Sequence, residues 1–298
     1  MSKKKVTKAV IAAAGFGTRF LPQTKAIPKE MLPLIDKPII QYLVEELVAV
    51  GVEDIIIITG YSKRSIEDHF DRPSEDLLKN LKQGGPSKAH LLKEIECISE
   101  MANFIYVRQK GPYGNATPVI NAEHLLKDEP FYYTWSDDLF TAEPLSFQQM
   151  LDTYNDYEAP ILSCVRVEDE ADFDRYGFVG GEKITDAYLD VKDITEKPGK
   201  IAAPSNLATV NGFILTPDVF PYFHEQMNNL QGDQEFYIND ALKLMIKDSK
   251  RLIACEIQNG EYYDVGNKLS YLKTVFDFAL KEPDLADELK EYLKNRLK

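Results

Sequence analysis

The chain has 298 residues, 44% of them hydrophobic, with 35 Lys and Arg against 48 Asp and Glu and a formal net charge of −13. That length buries an ample core, and no Pro/Gly/Ser-rich linker divides it, so one domain spanning residues 1–298 is expected. The acidic balance excludes a nucleic acid or an anionic membrane as the main partner, and cations that bind a substrate must be local exceptions.

Lys3-Lys4-Lys5 precede an apolar segment too short to span a bilayer and without a cleavage pattern, so no signal peptide is expected. Cys97, Cys164 and Cys255 are an odd, scattered set in apolar contexts, which reads as core thiols of a cytoplasmic protein and not as a disulfide framework or a zinc site. His69, His90, His124 and His224 show no clustering and read as surface or packing residues.

In chain order, the apolar run Lys8 to Ala14 predicts a buried strand. A glycine-hinged loop follows, Ala13-Ala14-Gly15-Phe16-Gly17-Thr18-Arg19, then Lys25 and Lys29. Glycines let backbone amides approach phosphates, and Arg19, Lys25 and Lys29 add charge. Pro22, Pro28 and Pro33 predict an extended loop wrapped over the ligand. Ile39 to Val50 has helical periodicity, and the four-isoleucine run Ile55 to Thr59 predicts a second strand, giving a right-handed β-loop-α-β unit.

The alternation continues with strands Phe104 to Val107 and Phe131 to Trp135 around a helix Pro118 to Leu126. A helical surface excursion is expected over 73–100, broken at Gly84-Gly85-Pro86. Beyond it come a helix Phe147 to Tyr154 and strands Ala159 to Val167, Gly177 to Val179, Val191 to Thr195, Asn211 to Leu215 and Leu252 to Ile257. Leu285, Leu289, Leu293 and Leu297 form one stripe of a C-terminal helix over 283–298, suited to packing on the body or a second subunit and not to a membrane. The fold class expected is therefore α/β, a Rossmann-like mixed, largely parallel sheet flanked by helices.

Two phosphate motifs fail on the first loop. Phe20 stands where a G-x-G-x-x-G fingerprint needs its third glycine, and no G-K-[ST] ending supplies a Walker A loop. The stretch instead resembles the signature G-x-G-T-R-x-x-P-x-T-x-x-x-P-K of the sugar-1-phosphate nucleotidyltransferases. Its continuation Pro28-Lys29-Glu30-Met31-Leu32-Pro33-Leu34 with Asp36-Lys37-Pro38 looks like the bacterial branch that uses UTP and glucose 1-phosphate.

Asp137-Asp138 follow a predicted strand directly, at the edge where open α/β sheets bind ligands, and hard carboxylate oxygens suit Mg²⁺. Asp264, before Gly266, is the candidate second carboxylate. The resemblance implies that Asp137 and Asp264 hold Mg²⁺, with Asp137 also on the nucleotide side. It further implies that Glu196 and Lys197 of Glu196-Lys197-Pro198 hold the sugar hydroxyls and the sugar phosphate, and that Gly177 approaches the sugar. Ala13, Ala14, Gly15, Gly17, Thr18, Gln109 and Gly114 would line the nucleotide, and Arg19, Lys29 and Lys197 would stabilise the transferring phosphates.

Two departures stand out. Relatives carry a G-L-G-H-A turn where Gly114-Asn115-Ala116-Thr117-Pro118 stands, so Ala116 and Thr117 are expected to alter the approach of the base. They also carry E-I-Q-L-T-D where Glu235-Phe236-Tyr237-Ile238-Asn239-Asp240 stands, toward the sugar. The expected reaction is uridylyl transfer from UTP to glucose 1-phosphate by a homo-oligomer, a dimer or tetramer. The alternatives are the same chemistry with dTTP or another sugar 1-phosphate, or a catalytically silent nucleotide-sugar sensor.

Overall fold

The computed structural model describes residues 5–126 and 128–296. Its strands are β1 (Lys8–Ala13), β2 (Pro33–Leu34), β3 (Lys37–Pro38), β4 (Asp54–Thr59), β5 (Asn103–Arg108), β6 (Phe131–Trp135), β7 (Asp138–Ala142), β8 (Ile161–Arg166), β9 (Gly177–Lys183), β10 (Tyr188–Glu196), β11 (Leu207–Leu215), β12 (Ile253–Glu256) and β13 (Gly260–Asp264). Nine of them make one sheet in the order β5-β4-β1-β6-β11-β8-β12-β10-β9. Only β11 and β10 run against the rest, so the sheet is mixed but seven of its nine strands share a direction.

The isoleucine run shows why this sheet has two cores. Ile55 and Ile57 pack with Ala9 and Ile11 on one face, while Ile56 and Ile58 pack with Val10 on the other. All four isoleucines are fully buried, as a strand covered on both sides requires. Helices Ile39–Ala49 and Ser146–Tyr157 cover the first face through Leu43, Leu47, Phe147 and Met150. Helices Thr117–Leu126, Phe220–Asn229 and Ile238–Lys247 cover the second through Val119, Phe223 and Leu242. Each such side chain contributes roughly 1.5–3 kcal/mol by leaving water.

Sequence order steps from β1 to β4 on one side and to β6 on the other, which opens a crevice beyond the carboxyl ends of β1 and β6. A separate ribbon, β7 paired antiparallel with β13, stands beside that crevice. Its strands escape sequence reading because each is short and carries an aspartate, a poor strand former.

Two expectations need correction, and two helical predictions take their exact bounds. Residues 15–33 are not extended: they form successive 3₁₀ turns at Thr18–Phe20, Gln23–Lys25 and Lys29–Met31, the last two entered from Pro22 and Pro28, whose fixed φ suits tight turns. Cys164 and Cys255 are buried, but Cys97 is exposed, because its helix Ala89–Ile98 buries only Ile98. The excursion contains helices Glu75–Gln83 and Ala89–Ile98. The C-terminal helix begins at Ala286, with no fully buried residue through Arg296; Leu297 and Lys298 lie outside the described residues. Among the described residues no helix is long and apolar enough to cross a membrane.

Candidate active site

The loop after β1 is shaped by one glycine and one aromatic anchor. Gly17 has a φ of 64°, and its carbonyl accepts from Thr24 Oγ1 at 2.7 Å and from Phe20 N at 3.0 Å. Phe20 is buried with Leu32, Leu34, Tyr263 and Val265, which leaves Thr18 and Arg19 facing the crevice. Arg19 Nη1 donates to Gly266 O at 3.3 Å. Lys25 is exposed on the second turn.

Lys29 Nζ lies 2.5 Å from Asp137 Oδ2. Burial works against the ammonium, but Asp137, then Glu30 and Asp138, outweigh it and raise the Lys29 pKa. Next to it Glu30 is fully buried, and Lys63 Nζ reaches its carboxylate oxygens at 2.6 and 2.8 Å.

Asp137 sits in a two-residue turn between β6 and β7. Buried Asn211 staples that turn by accepting from Trp135 N at 2.7 Å and donating to Asp138 O at 2.7 Å, while Ser136 Oγ donates to Ala12 O at 2.7 Å. The ribbon register places Asp264 opposite Asp138, and so delivers the second carboxylate. Asp264 Oδ1 accepts from Gly266 N at 2.8 Å, and its Oδ2 accepts from Tyr176 Oη at 3.1 Å and from Arg175.

Gly266 measures the convergence. A Cβ placed there would stand 2.9 Å from Asp264 Oδ1, 3.3 Å from Arg19 Nη1 and 3.4 Å from Asp137 Oδ2. Thr18, Arg19, Lys29, Asp137 and Gly266 line one cavity of about 250 Å³. Asp138 behind them accepts from Tyr262 Oη at 3.0 Å, and burial, reinforced by Asp137 and Asp264, pushes its carboxyl well above the usual range. Excess negative charge here is met by Lys29 and Arg175. Among the described residues no group of three or more His, Cys, Asp or Glu forms a metal cage. Two converging carboxylates are the donor type that Mg²⁺ uses beside phosphate oxygens, and here Lys29 holds Asp137 Oδ2 while Gly266 N, Tyr176 and Arg175 hold Asp264.

On the other side of Lys29, a cavity of about 210 Å³ is lined by Ala14, Gly15, Phe16, Gln109, Tyr113, Gly114 and Asn115. Ala13 turns its methyl into the core, while Ala12 and Ala14 face this cavity. Ala116 and Thr117, expected to alter the base approach, do not line it. Ala116 is buried and donates its N–H to Phe236 O at 3.0 Å, and Thr117 Oγ1 is turned to Pro112 O at 2.6 Å. Tyr113 and Asn115 line it instead. Phe16 and Tyr113, both largely exposed, face each other with ring centroids 6.2 Å apart.

The residues expected on the sugar side follow from Asp264 through Tyr176. Gly177 begins β9, and its register partner Glu196 ends β10. Lys197 N donates to Tyr176 O at 3.0 Å, and Lys197 has a φ of 46°, a strained conformation for a side-chain-bearing residue. Its Nζ is 3.7 Å from Glu196 Oε1 and 5.6 Å from the centre of the Tyr237 ring. Glu196 Oε2 accepts from Asn239 Nδ2 at 2.6 Å. Arg175 and Asn211 were not singled out by sequence reading, because a lone Arg or Asn carries no motif, and Asn239 was read only as one position of the departing 235–240 segment.

A mixed α/β sheet with a cationic glycine loop and paired aspartates at its strand ends defines a nucleotide-handling transferase. The chain belongs to the nucleotidyl transferase family, whose model matches residues 8–280. It is 42% identical to the UTP–glucose-1-phosphate uridylyltransferase of Bacillus subtilis (strain 168) over 294 residues, 99% of this chain and 98% of that protein. Its fold matches a UDP-glucose pyrophosphorylase complexed with UDP-glucose, with a TM-score of 0.82 at 38% identity over 93% of this chain and 100% of the other. A UTP-bound enzyme of the same kind from Acinetobacter baumannii matches with a TM-score of 0.87 at 34% identity, covering 97% of this chain and 99% of that one.

Proposed function

We propose that this chain transfers a uridylyl group from UTP to glucose 1-phosphate, giving UDP-glucose and pyrophosphate. The observation that carries this reading is the meeting of Arg19, Asp137 and Asp264 around Gly266, with Lys29 on Asp137. A sugar-phosphate oxygen attacks the α-phosphorus in line, a new P–O bond forms, and the α–β bridging P–O bond breaks with its electron pair leaving on pyrophosphate. The attacking phosphate is already anionic, so no general base is needed. The protein's task is alignment and charge neutralisation.

Arg19 and Lys29 take the pyrophosphate and Lys197 the incoming sugar phosphate. Gln109 offers an amide donor and acceptor to uracil, and Gly177 and Glu196 receive the sugar. Mg²⁺, held by Asp137 and Asp264, would supply positive charge to the phosphate oxygens. The reading includes self-association, supported by Leu269, Leu272 and Phe276 exposed on the helix Lys268–Lys281. It also includes a cytoplasmic setting, supported by three free cysteines.

The test is pyrophosphate release from a panel of UTP, dTTP, ATP and GTP against several sugar 1-phosphates. Fastest turnover is expected with UTP and glucose 1-phosphate in the presence of Mg²⁺. Preference for dTTP would move the substrate assignment, and binding without any pyrophosphate release would identify a sensor and sink the catalytic reading.

A further inference from the structure

Asn239 is the second residue of the helix Ile238–Lys247 and is only 4% exposed. Its amide nitrogen, Thr209 Oγ1 and Glu196 Oε2 crowd over Gly177, at 2.5, 2.9 and 3.0 Å from where a Cβ on that glycine would lie. The amide must present its NH₂ to Glu196, because the flipped orientation would set two acceptor oxygens 2.6 Å apart. That orientation leaves Asn239 Oδ1 sealed from solvent and without any donor among the described residues. A buried acceptor left unpaired is a cost to the fold, and such groups are rare enough to call for a reason.

The reason lies at the other end of the amide. Glu196 Oε2 is occupied by Asn239, while among the described residues Oε1 has only Lys197 Nζ at 3.7 Å, beyond hydrogen-bond distance. Holding one oxygen fixes the plane of the carboxylate and leaves the other as an acceptor for a ring hydroxyl. We infer that Asn239 is a positioning residue for the sugar: it orients Glu196 toward a hydroxyl of the sugar 1-phosphate, at the expense of its own unpaired carbonyl. This rests on the function proposed above and adds a residue to it. Thr, which stands at this place in the E-I-Q-L-T-D pattern, can donate to Glu196 without leaving an orphaned amide oxygen.

Asn239→Leu keeps the number and branching of the side-chain heavy atoms and removes both the donor and the orphaned oxygen. Its expected signature is a KM for glucose 1-phosphate raised about tenfold, a KM for UTP within about twofold of wild type, and a thermal midpoint unchanged or higher. Asn239→Thr should recover most of the sugar KM. With deoxy analogues of glucose 1-phosphate, the penalty of Asn239→Leu should vanish for the analogue lacking the hydroxyl that Glu196 accepts. An unaltered sugar KM in Asn239→Leu overturns the inference, as does an equal rise in both KM values or a lowered midpoint, which would mark a merely structural role. Wild-type protein that releases pyrophosphate from no sugar 1-phosphate would take down the proposed function and this inference together. An active wild type with an indifferent Asn239→Leu takes down this inference alone.

Discussion

Lys29 Nζ and Asp137 Oδ2 are 2.5 Å apart, so the cation of the first loop and the carboxylate after β6 neutralise each other across the crevice. Under the proposed function, an entering phosphate would compete with Asp137 for the Lys29 ammonium and leave that carboxylate free to accept elsewhere.

Lys29→Ala should therefore lower kcat/KM for pyrophosphate release by about a hundredfold or more, the usual effect of losing a contact to developing phosphate charge. Lys88, half-buried on the helical excursion and lining neither cavity, is the control, and its alanine variant should be within about twofold of wild type. Equal rates in the two variants would remove Lys29 from the chemistry.

Gly114 connects the loop of residues 109–118 to that of residues 235–240. Its φ is 137°, and a Cβ there would overlap the backbone of Phe236. Phe236 N donates to Tyr113 O at 2.7 Å, and Asn115 Oδ1 accepts from Ile238 N at 2.8 Å, so the two loops that depart from the family pattern are bonded to each other. Gly114→Ala should destabilise the protein by about 1–3 kcal/mol through backbone strain. It should also raise KM for both substrates, unlike any change at Asn239. Urea unfolding with paired KM measurements checks this, and a rise confined to the nucleotide would show that the loops act independently.

The strands of the parallel half were legible because a strand buried on both faces leaves an uninterrupted apolar run, as at Ile55 to Thr59. Arg19, Lys29, Asp137, Glu196 and Asp264 were legible because each sits in a short string or directly after a predicted strand. What escaped depends on distant pairing. The ribbon that brings Asp264 to Asp138 joins segments more than a hundred residues apart, and no local pattern predicts it. The contact of Asn239 with Glu196 likewise joins two elements that never meet in sequence. On the turn after Gln109, counting along the string put Ala116 and Thr117 at the cavity. The bonds to Phe236 and Pro112 instead turn them inward and present Tyr113 and Asn115.

Beneath the loop, Glu30 and Lys63 form an enclosed ion pair. Burial raises the Glu30 pKa and lowers that of Lys63, each opposed by its partner's charge. Lys63→Met strands the carboxylate and should cost about 3–5 kcal/mol, whereas Lys63→Met combined with Glu30→Leu should be much closer to wild-type stability. The double variant should still lose activity, because Glu30 adjoins Lys29 and anchors its turn. A double variant as unstable as the single one would mean that the pair contributes packing and not charge compensation.

Glu46 supplies a testable pH dependence away from the active site. The helix Ser146–Tyr157 has no cap from Leu145. Instead Glu46 Oε1, from another helix, accepts from Ser146 Oγ at 2.7 Å and from Phe147 N at 3.1 Å. Burial raises the Glu46 pKa, with those hydrogen bonds opposing it. A carboxyl whose pKa is raised on folding binds its proton more tightly in the native state. Its contribution is therefore complete below the ordinary value of 4.5 and is lost as pH climbs through the native-state pKa. Glu46→Gln keeps an acceptor oxygen for the same two donors but does not titrate. The stability difference, variant minus wild type, should grow in the variant's favour from acid pH to neutrality, since every other titrating group cancels between them. Urea unfolding of both proteins across that range measures the difference; one that stays constant, or shrinks as pH rises, would show that the native fold does not hold this proton.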